Sequence, residues 1–228
     1  TITNDDTDPD TVAQAKTLTT GTDAITTGSG ADTFDASTAS SLDTVDTIDG
    51  GAGSDTLTAT IGAESVRPTI SNVETIKLTA TGALTIDTRD ITGATDYHNE
   101  SSSNDLTLNY LAALPTVTLN TIVDDVTLNF TDAALADASQ SLTINVNNFV
   151  LGGGEALTIT DAGGTTNELE TVIINSTSLA STITSLVTDG VETSAVTITG
   201  DADLTISSLD ALVTTLTSSA FTGDLTLT

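Results

Sequence analysis

The residues able to do chemistry gather in two glycine–aspartate turns near the front of the chain. The first places Gly21-Thr22-Asp23 ahead of Gly28-Ser29-Gly30-Ala31-Asp32-Thr33-Phe34. The second reads Asp46-Thr47-Ile48-Asp49-Gly50-Gly51-Ala52-Gly53-Ser54-Asp55-Thr56-Leu57. Both end in the pattern G-x-G-x-D-x-apolar. Glycine tolerates positive φ, so the backbone bends tightly and turns its carbonyls toward an ion. Aspartate adds a hard oxygen ligand of the kind calcium takes. The apolar residue two places on opens a short strand that faces a core. Within each unit the aspartates recur at nine residues, 32 − 23 and 55 − 46, the length of a nonapeptide that coils into a calcium-binding parallel roll. Calcium is the expected cofactor.

Positioning such turns requires strands, and the rest of the chain is rich in them. Roughly a fifth of the residues are Thr, a β-branched type that favours extended backbone and forms polar ladders on a sheet face. Segments such as Thr75-Ile76-Lys77-Leu78-Thr79, Leu106-Thr107-Leu108-Asn109, Val126-Thr127-Leu128-Asn129, Leu142-Thr143-Ile144-Asn145 and Val196-Thr197-Ile198 alternate with period two. Each reads as a strand with one buried and one solvated face. Their irregular separations, roughly 8 to 20 residues, suit no simple repeat array. Two all-β architectures accommodate them: a parallel β-solenoid or β-roll, in which each run is a rung, and a β-sandwich of antiparallel strands. Scarce hairpin turns and small side chains favour the solenoid. The expected divisions are a polar lead-in over 1–16, a calcium-binding region over 17–62 and a Thr/Asn-rich solenoid region over 63–228. Two stretches are read as helical: 131–139, which is alanine-rich, and 207–218, where Leu209, Leu212, Val213 and Leu216 are spaced i, i+3, i+4, i+7.

Charge narrows the partners. Thirty-two acidic residues against four basic ones leave a formal net charge of −28, which argues against nucleic acid or an anionic membrane. The self-repulsion weakens a compact state unless cations bind. No cysteine is present to form a disulfide. No apolar run is long enough to cross a bilayer, and Thr1 to Lys16 has no apolar stretch of the signal-peptide kind. The chain opens without Met and stops inside a strand-like run, so an excised piece or processed product is expected.

The order Gly-Thr-Asp, then Gly-x-Gly-x-Asp-Thr-Phe-Asp, then Asp-x-Ile-Asp-Gly-Gly-x-Gly-x-Asp-Thr-Leu resembles the RTX-type calcium repeats of bacterial surface-layer proteins. The phrase Asn72-Val73-Glu74-Thr75-Ile76 that follows is similar to what surface-array proteins of the Caulobacter and Campylobacter type carry, and Glu168-Leu169-Glu170-Thr171-Val172 echoes it. The match at motif level covers about residues 17–80. The resemblance implies type I secretion, folding outside the cell on calcium, and self-association into a layer on the bacterial surface. Carried over by residue, the ligand aspartates are Asp23, Asp32, Asp46 and Asp55. The carbonyl donors are Gly21, Gly28, Gly30, Gly50, Gly51 and Gly53. Asp35, Asp43 and Asp49 are expected as extra ligands. Because 33–45 separates the two units, no long ladder of ions is expected, only one to a few sites.

Enzyme motifs are not evident. There is no Gly-x-Ser-x-Gly, His-Glu-x-x-His or Gly-Lys-Ser/Thr. The lone histidine, His98, reads as a surface residue, and Gly152-Gly153-Gly154 as a turn between rungs. Asp124, Asp125, Asp201 and Asp203 read as acidic turn positions on a solvated surface. Asn99, Asn129 and Asn175 head glycosylation sequons. The expected function is therefore non-enzymatic: a calcium-stabilised, self-assembling segment of a bacterial cell-surface layer or filament, with a homo-oligomeric lattice as partner and cell-surface polysaccharide as a further one. The alternative is a calcium-dependent adhesin or glycan-binding repeat module of a large secreted RTX protein.

Overall fold

Alternation of apolar with Thr and Asn residues yields strands that bury every second side chain, and coiling stacks them into one core. A computed structural model describes residues 11–136, 139–163, 169–191 and 193–228. It is a parallel β-solenoid whose front sheet holds ten strands, and hence nine coil-to-coil steps. These strands are Ala15–Thr17, Thr33–Ala36, Thr56–Ile61, Thr75–Ala80, Asp96–Glu100, Thr116–Ile122, Ser141–Phe149, Thr171–Ser176, Ala195–Gly200 and Thr215–Phe221. Behind it lies a six-stranded sheet running from Ser65–Val66 to Leu186–Asp189. A four-stranded sheet of Ala24–Thr26, Thr47–Asp49, Thr69–Ser71 and Ile91–Thr92 serves the first coils, and a three-stranded sheet the last. The pairing is parallel throughout, so the sandwich alternative falls away.

The core is a set of columns. Phe34, Leu57, Ile76, Tyr97, Val117, Ile144, Ile174 and Ile198 occupy one register position in successive strands, and none exceeds 4% exposure. Outward positions form polar columns instead. The amide nitrogen of Asn145 donates to Thr118 Oγ1 (3.3 Å), that of Asn175 to Asn145 Oδ1 (3.0 Å), and Thr199 Oγ1 to Asn175 Oδ1 (3.2 Å). Period-two sequence thus becomes a period-two wall.

Coil length varies, which is why the strand-like runs looked unevenly spaced. Bonds between neighbouring coils span 18, 23 and 19 residues near the start, then 20, 27, 30 and 24 further on. The extra residues go to the corners. The front sheet crosses residue 62 without a break, since Thr56–Ile61 pairs with Thr75–Ala80. It begins at Ala15, inside the expected lead-in; the rest of that segment, 1–10, lies outside the described residues.

Neither expected helix forms as an α-helix. Within 131–139 only Asp132–Leu135 makes a 3-10 turn, capped by the Thr131 hydroxyl, while 137–138 lie outside the described residues. Leu209 makes a parallel bridge to Leu186, Leu212 and Val213 lie in the corner after it, and Leu216 belongs to the strand Thr215–Phe221. Pairing with Ala195–Gly200, and the strand preference of a Thr-rich run, override the helical spacing. Gly152–Gly154 forms the expected turn, with Gly154 at φ 109°. Among the described residues no helix is long and apolar enough to cross a membrane.

Candidate metal centre

An acid–Thr–apolar triplet opens three successive front-sheet strands: Asp32-Thr33-Phe34, Asp55-Thr56-Leu57 and Glu74-Thr75-Ile76. Because Thr faces out and the next residue faces in, the acid also points inward, at the corner before the strand. Asp32 and Asp55 are each 1% exposed. Their carboxylates bind the coil below. The Gln14 N–H donates to Asp32 Oδ1 (2.6 Å), the Asp32 N–H to Asp55 Oδ1 (2.7 Å), and the Asp55 N–H to Glu74 Oε2 (2.8 Å). The ladder uses one oxygen of each aspartate. The second oxygens, Asp32 Oδ2 and Asp55 Oδ2, are buried with no hydrogen-bond partner. A buried, unpaired carboxylate oxygen carries a large desolvation cost unless a cation or donor meets it. Burial, reinforced by the charges of Asp32 and Glu74, pushes the Asp55 carboxyl above its ordinary range.

The glycine turns stack directly on one another beside this ladder. The Ala52 N–H donates to the Gly28 carbonyl (2.8 Å). Gly51 takes φ 79°, and a Cβ there would run into the Gly28 carbonyl, so no other residue type fits. Gly53 lies equally close to Gly30. The two units are therefore neighbours in space, 23 residues apart, and the 33–45 stretch is one side of a coil, not a spacer between sites. The nine-residue interval carries the chain across the fold, from one corner to the other.

At that other corner Asp23 and Asp46 stack, but protein donors satisfy them. Asp46 accepts from the Asp23 N–H (2.9 Å) and the Asp43 N–H (2.8 Å). Asp23 accepts from the Thr19 N–H (2.7 Å) and the Thr19 hydroxyl. Burial also raises the Asp46 carboxyl, with Asp43 and Asp23 adding like charge. The Gly21 N–H donates to Thr19 Oγ1 (3.2 Å), and a Cβ on Gly21 would meet only that oxygen, at 3.7 Å. Asp35 stands on the exposed face of its strand and accepts from the Ser37 N–H (2.9 Å). Asp49 takes the Asn72 amide (2.9 Å) and the Gly51 N–H (3.1 Å), which hold its carboxyl below the ordinary range. Asp43 accepts from the Val45 N–H (2.8 Å). Among the expected ligands, the buried oxygens without a partner belong to Asp32 and Asp55.

Sequence reading missed Glu74 as a carboxylate of the ladder. The acid–Thr–apolar triplet it shares with Asp32 and Asp55 was the available signal. It recurs at Glu170-Thr171-Val172, where Glu170 Oε2 accepts from the Gln140 N–H (2.5 Å). The two Glu-Thr phrases thus do the same capping work; Glu168 of the echo lies outside the described residues. Elsewhere Asp105, Asp125 and Glu155 bring carboxylate oxygens within 4.8 Å of one another. Only Asp125 among them stood out in the sequence. The group is partly solvated, Asp125 Oδ1 already takes the Ala156 N–H (2.6 Å), and chiefly the Asp125 charge pushes the Glu155 carboxyl up. Such a solvated acidic group is not diagnostic of a metal site. His98 sits on the outer face 3.2 Å from Glu100 Oε1. Asn99 points inward at 1% exposure, which removes the first sequon from the surface.

The fold and its corners define the chain as a parallel β-solenoid with a buried acidic ladder in its first coils. No protein-family model, curated protein or solved structure matches it.

Proposed function

We propose that this chain is a structural, non-enzymatic segment of a bacterial surface layer or extracellular filament, held in shape by calcium. The observation that carries the reading is the pair of fully buried carboxylate oxygens, Asp32 Oδ2 and Asp55 Oδ2, left without donors beside stacked glycine turns. An all-oxygen corner with two anions suits a hard cation. Asp32 and Asp55, with carbonyls of the Gly28–Gly30 and Gly50–Gly53 turns, would hold the ion. Asp23 and Asp46 would tighten the opposite corner through their backbone bonds. Calcium supplies the positive charge that lets buried acids stay ionised. A net charge of −28 gives the same cation a second task, screening acidic subunits as they approach.

The last coil leaves apolar residues for a further coil, of the same chain or of a second copy, to cover. Leu216, Phe221 and Leu225 pack against the core yet remain only partly buried. Their register partners Val196, Gly200 and Leu204 sit one coil further in, and Val196 and Leu204 are fully buried. The outer edge of Thr215–Phe221 pairs with no strand among the described residues and carries no charge to deter another strand. Export by a type I route and residence outside the cell follow the resemblance to RTX-type surface-layer proteins. Circular dichroism and electron micrographs of the chain in calcium and in chelator test the reading. Ordered β-signal and assemblies should appear only with calcium, and indifference to chelator would sink it.

A second reading is a calcium-dependent adhesin or glycan-binding module, for which the outward Thr118–Asn145–Asn175–Thr199 column offers hydroxyls and amides to a polysaccharide. Retention on immobilised cell-surface polysaccharide, lost when Asn145 and Asn175 become Ala, would favour it over the structural role.

A further inference from the structure

The acidic ladder continues one coil beyond the glycine–aspartate motif, and the continuation is more open than the motif itself. In the register of the flank sheet Asp49 pairs with Ser71, so Gly50 lies beneath Asn72, as Thr27 lies beneath Gly50. At the lower of these places the Thr27 hydroxyl donates to the Gly50 carbonyl (2.8 Å). At the upper place Gly50 offers no side chain to the Asn72 carbonyl. A Cβ built on Gly50 would collide with that carbonyl and sit 2.6 Å from Asp55 Oδ2. Glycine is needed here for space, since Gly50 is not among the positive-φ residues. It keeps a gap between two oxygens of adjacent coils. One of them, Asp55 Oδ2, is buried and has no partner, on a residue 1% exposed. Asn72 is held at φ 53° with its side-chain amide donated to Asp49 (2.9 Å), which fixes the direction of its peptide. Glu74, whose Oε2 takes the Asp55 N–H at 2.8 Å, closes the corner from above.

We propose that Asp55, the Asn72 carbonyl and Glu74 form a second divalent-cation site, one coil above the glycine–aspartate turns. The ligand class is a hard divalent ion, calcium first, because every donor is oxygen and two are carboxylates. The Glu of the Asn-Val-Glu-Thr phrase takes the position that Asp55 holds one coil below, and it ends the ladder: the next corner carries Thr95. Two successive layers share Asp55, so loading one prepares the other. The inference rests on the calcium reading of the lower turns, and its test separates the two.

The experiment counts calcium bound per chain by equilibrium dialysis, with isothermal titration for affinity, in the full chain and in Glu74→Gln. Glutamine keeps an acceptor for the Asp55 N–H and loses only the charge. The expected result is one ion fewer per chain, or an upper-site affinity weakened about 10- to 100-fold. Thermal stability of the variant in chelator should match the parent, while the gain on adding calcium shrinks. Glu74→Asp, which keeps the charge on a shorter arm, should restore part of the binding. Equal ion counts and affinities in parent and Glu74→Gln would overturn the upper site and leave the lower one standing. So would an equal loss of stability with and without calcium, the mark of a simple cap. Failure of the parent chain to bind any calcium would remove both.

Discussion

The first coils and the later ones fill the same register position of the front sheet with opposite chemistry. Following one register position up the front sheet gives Gln14, Asp32, Asp55 and Glu74, then Thr95 and Pro115, each just before its strand, and then Leu142, Val172, Val196 and Leu216, each the second residue of its strand. In the upper coils Leu142, Val172 and Val196 are fully buried, and apolar burial there stabilises in any salt. In the lower coils the carboxylates tie coil to coil through backbone N–H groups but leave oxygens stranded. That arrangement costs free energy unless a cation or a donor meets those oxygens. On the proposed calcium reading the solenoid has a conditional half and an unconditional half on one continuous sheet.

Chelation should separate them most sharply. Amide hydrogen exchange in calcium and in chelator is expected to show protection lost over residues 15–80 and kept over 116–206. With free calcium about a hundredfold above its dissociation constant, each site adds about 2.7 kcal/mol, so protection in the lower coils should fall by about two orders of magnitude per site. Uniform loss along the chain would mean that the upper coils depend on the lower ones. Next in size is a core truncation in the unconditional half. Leu142→Ala removes a side chain buried at 0% exposure and should cost about 2–5 kcal/mol, by the same amount with or without calcium in denaturant titrations.

The conditional half should respond to substitutions with a sign that depends on the ion. Asp55→Asn keeps an acceptor for the Asp32 N–H and removes a buried charge. It is expected to destabilise the calcium-loaded chain by about 1–3 kcal/mol and to leave the calcium-free chain as stable or more so. A loss of equal size in both conditions would reduce Asp55 to a backbone cap. Glycines give a smaller contrast. Gly50→Ala presses a methyl into the Asn72 carbonyl and should cost about 1–3 kcal/mol. Gly62→Ala meets nothing within 4 Å and should be neutral or stabilise by about 0.4–1 kcal/mol.

Much of this division was legible in the residues, though not in the terms first used. Period-two runs such as Leu106-Thr107-Leu108-Asn109 and Val196-Thr197-Ile198 mapped directly onto strands, because alternation dictates which face is buried. The aspartates recur at nine residues within a unit, but the interval that stacks is 23, from Asp32 to Asp55 and from Asp23 to Asp46. Both intervals are in the sequence; only coiling decides which one brings carboxylates together. The Asn-Val-Glu-Thr phrase hides Glu74 as a carboxylate of the ladder, and its kinship with Asp32 and Asp55 lies in the Thr and apolar residue after it. Nothing in the spacing could show that donors saturate Asp23 and Asp46 while Asp32 and Asp55 each keep an open oxygen, since that turns on where single N–H groups point.

The faintest test of the contrast is its dependence on pH. Burial raises the carboxyls of Asp46 and Asp55 above the reference value of 3.8. Without calcium the folded chain therefore holds their protons more tightly than the unfolded chain does, so the stability they contribute is full below 3.8 and is lost as pH rises through their raised values. Asp35, Asp49, Asp87 and Asp210 are lowered by hydrogen bonds, so their contribution is present above 3.8 and disappears as pH falls through their depressed values. In chelator, melting of the lower coils should move to higher temperature as the solution is acidified from neutrality toward the raised values, then turn down at lower pH. Asp55→Asn should flatten the first part of that curve and spare the second. Calcium should reverse the first slope, because the ion favours the ionised form. A calcium-free curve that only falls with acid, in parent and variant alike, would show that the buried acids are already paired and that the two halves of the solenoid are stabilised in the same way.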